Sequence, residues 1–481
     1  MTRSVHRRTP LLALALVLAL FASACGDDAD VADQVIGDPD GVGDGGGDDG
    51  TDGSGGRGWI DGAPDSGEGG DGGGDGDAAT GERSAELDAA VADEAAPGAL
   101  EPPIDPLPPT DEPLRAGSID DADDVTGYLD YRDSIVSAGV RVRPLDVTDS
   151  TVFTVIGGNG LPVLGAEILI RDAVSSDADA LATLRTRADG TVRFMPGMLD
   201  ASPAVILVEV VVDGQVTPVD NFTIGTPAVA VEVDPDGGYD GSVPLDILFV
   251  IDATGSMGDE IDRLRDNMSS VAEQIDALPS DPDVRFGMTV YRDEGDAYVT
   301  RTFDLTDSLA DFLDALDDVV AEGGGDYPEA MDEALADAME LPDWRRQDAV
   351  QLMFLLADAP PQVRREVQTP YTQTATQAAE AGMKIFPIAA SGTDDQAEYA
   401  MRELAFVTGG RFVFLAYGGG DSATGSGTDI TTQDFDELPL DQLVVRLVQD
   451  ELAALTGTEP GDGETTPTVP PPSTTVPAPD Q

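Results

Sequence analysis

The sequence predicts an α/β protein built on a doubly wound, mostly parallel sheet, preceded by a small β-sandwich and a disordered acidic tether. Three observations lead there. Two apolar runs, Leu245 to Ile251 and Ala349 to Ala357, are short and bounded by polar turns, as strands buried on both faces are. Each run ends on an aspartate, Asp252 and Asp358. Between them Ile261, Leu264, Met268, Val271 and Ile275 recur at helical spacing. Further strands are expected at 285–291, 384–390 and 411–415, with 299–303 as an antiparallel edge. Helices are expected near 256–277, 308–320, 327–340, 364–381, 396–408 and 438–455. In the last, Leu440, Leu443, Val444, Leu447, Leu452 and Leu455 form an apolar stripe that reads as a core face.

The first strand runs into Asp252-Ala253-Thr254-Gly255-Ser256-Met257. A carboxylate and two hydroxyls thus sit on a turn between strand and helix. That is the carboxyl edge of the sheet, where open α/β folds bind ligands. Alternate positions 252, 254 and 256 offer three hard oxygens to one centre, a set that selects Mg²⁺, Mn²⁺ or Ca²⁺. The same residue types also suit a plain helix N-cap.

Two later stretches extend the pattern. Gly323-Gly324-Gly325-Asp326-Tyr327-Pro328-Glu329 reads as a flexible loop opening a helix, with Pro328 in its first turn. Asp358-Ala359-Pro360-Pro361 closes the second strand. In this order the three motifs resemble a von Willebrand factor type A domain with a metal-ion-dependent adhesion site, over roughly 243–456. Tyr291-Arg292-Asp293 resembles a subgroup of such domains. The resemblance implies a metal site of Asp252, Thr254, Ser256, Asp326 and Asp358, and Mg²⁺ (or Mn²⁺ or Ca²⁺) as cofactor. It also implies a protein ligand whose acidic side chain completes the metal shell. Adhesion receptors of this family often carry threonine where Asp326 stands. A third carboxylate holds the cation more firmly but leaves it less charge to attract a partner's carboxylate.

The chain opens with Arg3, Arg7 and Arg8, an apolar run from Leu11 to Phe21, and Ala22-Ser23-Ala24-Cys25. A basic start, a short apolar run and small residues describe an export signal over 1–24. It resembles a bacterial lipoprotein signal, which implies cleavage before Cys25 and lipidation of that thiol; the alternative is an ordinary secretory signal. Cys25 is the only cysteine and His6 the only histidine. Beyond the signal no imidazole remains, so Ser-His-Asp and Cys-His catalysis and the usual zinc ligand sets are excluded. Acids outnumber bases 93 to 26, a formal net charge of −67. Such a chain repels nucleic acid and anionic membrane surfaces and concentrates divalent cations around itself.

Residues 25–120 read as a tether, dominated by Gly and Asp to about 80 and then by Ala, Glu and Pro, with too few apolar residues to offset chain entropy. About 90 flexible residues reach on the order of 50 Å. From 128 to 236 short β patterns recur. Thr183 to Arg185 and Thr191 to Phe194 flank Ala188-Asp189-Gly190, and Val205 to Val212 and Gln215 to Val219 flank Asp213-Gly214, both hairpin signals. The region suggests a sandwich and resembles carboxypeptidase-regulatory or immunoglobulin-like modules, spacers or binders rather than catalysts. Asp234 to Gly238 reads as a hinge, and 457–481, rich in Thr and Pro, as a disordered tail.

The expected protein is not an enzyme. It is a metal-dependent binding protein for adhesion or assembly, anchored to a membrane only through the lipid on Cys25, or secreted. A structural envelope protein whose metal only stabilises the loops is the alternative, and a carboxylate-based hydrolase the remote one.

Overall fold

The computed structural model describes residues 59–62, 114–174, 179–199, 204–239, 241–259, 261–325, 327–346, 348–416, 430, 435 and 437–458, all within the unit Gly56–Gln481. Cys25 with its signal, most of the tether, Asp326 and the tail past 458 lie outside them.

The main sheet begins earlier in the chain than the sequence reading placed it. β1 (Ile60–Gly62) and β2 (Arg115–Ile119) both belong to it, although both fall in the stretch read as tether. β2 escaped notice because its middle must be small. A Cβ on Gly117 would meet Phe435 at 2.3 Å and Phe414 at 2.7 Å, so the strand shows no apolar alternation there. Where a β pattern was read from 128, the chain instead forms the helix α1 (Val125–Ser137), capped by Asp124 on the amide of Gly127. Its buried face is Tyr128, Arg132 and Ile135. A charged residue at the middle of that face hides the helical period from an apolar count.

Seven strands follow: β3 (Thr151–Ile156), β4 (Glu167–Asp172), β5 (Ala182–Arg185), β6 (Thr191–Phe194), β7 (Val205–Val212), β8 (Gln215–Thr223) and β9 (Ala228–Glu232). They make one sheet in the order β6-β3-β9 and another in the order β5-β4-β7-β8. Phe153, Val155, Ile168, Ile170, Leu184, Val208 and Val210 form the shared core, as period-2 burial along each strand requires. β7 and β8 are the hairpin expected, turning on Asp213 and Gly214, both at positive φ. The other hairpin signal misleads: β5 and β6 go to different sheets, so Ala188-Asp189-Gly190 is a crossing between layers. The stretch read as a hinge is fastened to the turn before β4. Gly238 N donates to Pro162 O (2.7 Å), Gly158 N to Pro235 O (3.0 Å) and Gly237 N to Asn159 Oδ1 (2.9 Å).

The chain then returns to the main sheet with β10 (Pro244–Asp252), α2 (Ile261–Asp276), β11 (Asp283–Tyr291), β12 (Thr300–Thr306), α3 (Leu309–Asp317), α4 (Met331–Glu340), β13 (Val350–Ala357), α5 (Tyr371–Ala381), β14 (Lys384–Ala389), α6 (Asp395–Thr408), β15 (Phe412–Ala416), β16 (Leu438–Pro439) and α7 (Leu440–Thr456). The strand order is β1-β12-β11-β10-β13-β14-β15-β2-β16, with β11, β10, β13, β14 and β15 parallel. β12 is antiparallel to β11 but not the edge, because β1 pairs outside it. Alternate residues of β10 feed two cores. Ile247, Phe249 and Ile251 meet residues of α2, α3 and α7, while Leu248 and Val250 meet residues of α4, α5 and α6. The apolar stripe of α7 is a core face, as read. Phe249, Phe354 and Phe386 stack across three strands at 5.7 and 5.1 Å, each burial being worth about 1.5–3 kcal/mol.

The sandwich docks on the amino edge of this sheet. Arg187 Nη1 donates to Thr408 O (2.7 Å), Arg185 Nη1 to Arg346 O (3.2 Å), and Arg193 stacks on Phe406 at 4.2 Å. Lys384, the only lysine in the chain, reaches Asp189 at 2.9 Å and Glu451 of α7 at 2.6 Å. Asp252 and Asp358 end their strands at the opposite edge.

Candidate metal centre

The parallel sheet reverses its winding between β10 and β13, since β11 lies on one side of β10 and β13 on the other. That switch point opens a crevice at the strands' carboxyl ends. Asp252 enters it from β10 and Asp358 from the residue after β13. A short 3₁₀ turn, Gly255–Asp259, then delays the start of α2 to Ile261, so Ser256 stands exposed at the mouth with Thr254 buried beneath it.

Asp252 is 0% exposed. Its Oδ1 accepts from Thr254 N (2.9 Å) and Thr254 Oγ1 (2.7 Å). Thr254 Oγ1 lies 3.1 Å from Ser256 Oγ, and Ser256 adjoins Asp358. One chain of oxygens thus joins four of the five residues expected at the site. The fifth, Asp326, lies outside the described residues. Two of the carboxylate oxygens, Asp252 Oδ2 and Asp358 Oδ1, are buried without a hydrogen-bond partner. Burial, and then Asp358, pushes Asp252 up to about 7; burial pushes Asp358 up to about 6, against the pull of Ser256. Buried, unpartnered carboxylates in mutual repulsion are costly unless a proton or a cation joins them.

Three loops hold the site. Gly255 N donates to Gly323 O (3.0 Å), Glu322 N to Ala253 O (3.0 Å), and Ala253 N to Tyr291 O (2.9 Å). Gly323 and Gly324 both take positive φ, and the Gly324 amide donates to Asp296 (2.8 Å). A Cβ on Gly324 would come within 2.8 Å of Glu329 Oε1. The 327–329 segment is not the first turn of a helix, as its proline suggested. It bends at Tyr327 and Pro328, Glu329 makes an isolated bridge to Pro361, and α4 starts only at Met331.

Sequence reasoning missed two residues here. Glu329 is 4% exposed with Oε2 unpartnered, and burial followed by Asp252, Asp293, Asp358 and Asp296 pushes it up to about 8. Tyr291, fully buried, lies beside Asp252 and Asp358, and burial and those two charges keep its hydroxyl protonated. Glu329 stood in the quoted glycine-rich motif, but only its depth sets it apart from exposed glutamates.

The donors are all carboxylate and hydroxyl oxygens, and three carboxylate oxygens, Asp252 Oδ2, Asp358 Oδ1 and Glu329 Oε2, lack partners. That set fits a hard divalent cation. Among the described residues no three acidic side chains close into a metal cluster by themselves.

Residues 246–419 match the von Willebrand factor type A domain, and the large, mostly parallel sheet with its helices has that domain's fold. Similar proteins include a putative ariadne-like RING finger protein R811 of Acanthamoeba polyphaga mimivirus, 30% identical over 122 residues (25% of this chain, 12% of that one). The alpha-protein kinase vwkA of Dictyostelium discoideum is 30% identical over 118 residues (24% and 18%). The chain therefore spans less than a fifth of the curated relatives it matches. Among solved structures, BatB from Bacteroides thetaiotaomicron is 12% identical with a TM-score of 0.31, covering 43% of this chain and 98% of that one. The pilus adhesin SpaC of Lactobacillus rhamnosus GG is 12% identical with a TM-score of 0.32, covering 53% and 33%.

Proposed function

We propose that this chain is a surface-anchored binding protein that captures a protein partner through a divalent cation held by Asp252, Thr254, Ser256, Asp326 and Asp358. The reading rests on one observation: Asp252, Thr254, Ser256 and Asp358 converge at the switch point with two buried carboxylate oxygens unpartnered. Bound there, the cation supplies a Lewis-acidic position for a partner's carboxylate oxygen. The chain's own residues do the rest. Thr254 donates its hydroxyl proton to Asp252, which leaves its lone pairs for the cation. Ser256 is exposed and marks the open side, while Asp252 and Thr254 are sealed beneath it. A pull-down from envelope extract tests capture: a partner retained with Mg²⁺ and lost with chelator is the expected result, and retention indifferent to chelator contradicts it.

One observation favours a second reading, in which the cation only stabilises the loops. Asp252, Asp358 and Glu329 already supply more negative charge than one divalent cation carries, and Asp326 adds to it.

Membrane attachment is proposed from the segment ending at Cys25, the only cysteine. No helix among the described residues is long and apolar enough to cross a membrane. Cys25→Ser should move the protein from the detergent phase to the aqueous phase, or block its maturation; unchanged partitioning after that substitution would exclude the lipid anchor. A role in binding rather than catalysis is proposed on the same chemistry, since no imidazole lies beyond His6.

A further inference from the structure

A cavity of about 500 Å³ opens beside the metal centre, lined by Gly139, Val140, Arg141, Arg364, Asp394, Asp395 and Gln396. Arg141 and Arg364 are both exposed, and neither pairs with an acid among the described residues. That is unusual in a chain with 93 acids and 26 bases, where nearby arginines are engaged: Arg143 with Asp332, and Arg365 with both Glu294 and Glu333. Asp394 and Asp395 line the same cavity, but Asp394 is turned to cap α6, accepting from the amides of Gln396 (3.0 Å) and Ala397 (2.8 Å), and neither acid forms an ion pair with the two arginines among the described residues.

The two guanidinium groups stand on segments clamped together. Arg143 donates to Gln362 O (2.7 Å) and Arg365 O (2.8 Å), tying the 139–143 stretch to the loop that carries Arg364. The same loop is tied to the metal centre, since Gln362 Nε2 donates to Pro328 O (2.6 Å). Tyr327 links the two sites: its hydroxyl donates to Asp358 O (3.3 Å), and it adjoins Asp394 on the cavity side.

We propose that Arg141 and Arg364 form a second anchor for the partner, which is an acidic protein segment presenting one carboxylate to the cation and another to the arginines. This rests on the metal-capture reading and narrows it. The arginines attract the acidic segment where the cation, its charge offset by the surrounding carboxylates, does so only weakly. Guanidinium–carboxylate pairing is charge-assisted, and bidentate when the fork is free.

Fluorescence anisotropy of a labelled hexa-aspartate peptide on the full chain tests this. In Mg²⁺ the peptide should bind, and the Arg141→Ala/Arg364→Ala variant should bind about tenfold to a hundredfold more weakly, the loss of one or two charge-assisted contacts. Arg171→Ala, which removes one positive charge on the sandwich, away from the cavity, should leave binding unaltered. The double variant should unfold at the wild-type temperature, since both side chains are exposed. Wild-type affinity in the double variant, an equal loss in Arg171→Ala, or no peptide binding to the wild type would overturn the proposal. Binding that survives chelator but falls with the double variant would uphold the arginine anchor and overturn metal capture.

Discussion

Replacing Lys384 with methionine is expected to destabilise the chain by about 3–5 kcal/mol, the usual cost of removing one partner from a buried ion network. The substitution keeps the aliphatic stem but leaves Asp189 and Glu451 facing each other without the ammonium that joins them at 2.9 and 2.6 Å. Arg187, 3.9 Å from Asp189, compensates only in part. Adding Glu451→Gln should return a share of the loss, because it removes the more deeply buried of the two stranded charges. Chemical denaturation of the three proteins measures both effects; a loss below about 1 kcal/mol, the range of exposed pairs, would mean the contact is a surface one. The sign of the pH dependence follows from the same contacts. Burial alone would raise Asp189, but Lys384 and Arg187 hold it well below its ordinary 3.8, so its contribution is complete above that value and lost as the pH falls below it. Burial alone would lower Lys384, but Asp189 and Glu451 hold it above its ordinary 10.5, so its contribution is complete below that value and lost as the pH rises beyond it. Burial drives Glu451 upward against Lys384 and opposes the effect. Asp189 keeps 31% of its side-chain surface in water, so salt should weaken its share. The contact joins the sandwich to β14 and α7.

The second large effect is expected from divalent cation. Mg²⁺ at one hundred times its dissociation constant should stabilise the fold by about 2.7 kcal/mol. Without it, folding holds protons on Asp252, Asp358 and Glu329, which titrate at about 7, 6 and 8, more tightly than the unfolded chain does. Stability should therefore fall as the pH rises from about 4 toward 8, and Mg²⁺ should remove that fall by replacing the protons. Asp252→Ala should abolish the Mg²⁺ effect while leaving the metal-free protein folded, since one of the repelling carboxylates is gone. Thermal unfolding across that pH range, with and without Mg²⁺, reads all of this; an identical Mg²⁺ shift in Asp252→Ala would place the cation elsewhere.

What was legible in the sequence, and what was not, divides along physical lines. β10 and β13 are buried on both faces, so their continuous apolar runs announced them, and each delivered its aspartate to the carboxyl edge. α2 declared itself through Ile261, Leu264 and Met268 because one face meets the core and the other meets water. β2 and α1 stayed hidden for opposite reasons. Gly117 must be small where two aromatic rings crowd it, and Arg132 is buried against Tyr399 (2.9 Å) and Glu403 (2.7 Å), a polar core that apolar counting skips. The crossing at Ala188-Asp189-Gly190 has hairpin chemistry, but its destination depends on which layer each strand joins, a non-local choice. The motif positions Asp252, Thr254, Ser256 and Asp358 do converge. Glu329 and Tyr291 stood in quoted motifs, but it is their burial beside Asp252 and Asp358, a tertiary property, that makes them part of the site.

Calorimetric titration of Mg²⁺ into the wild type and Asp252→Ala tests the metal centre most directly. Saturable binding at one site in the wild type, with protons released, and none in Asp252→Ala is the expected result. No heat of binding in the wild type, or the same isotherm in both proteins, would contradict it.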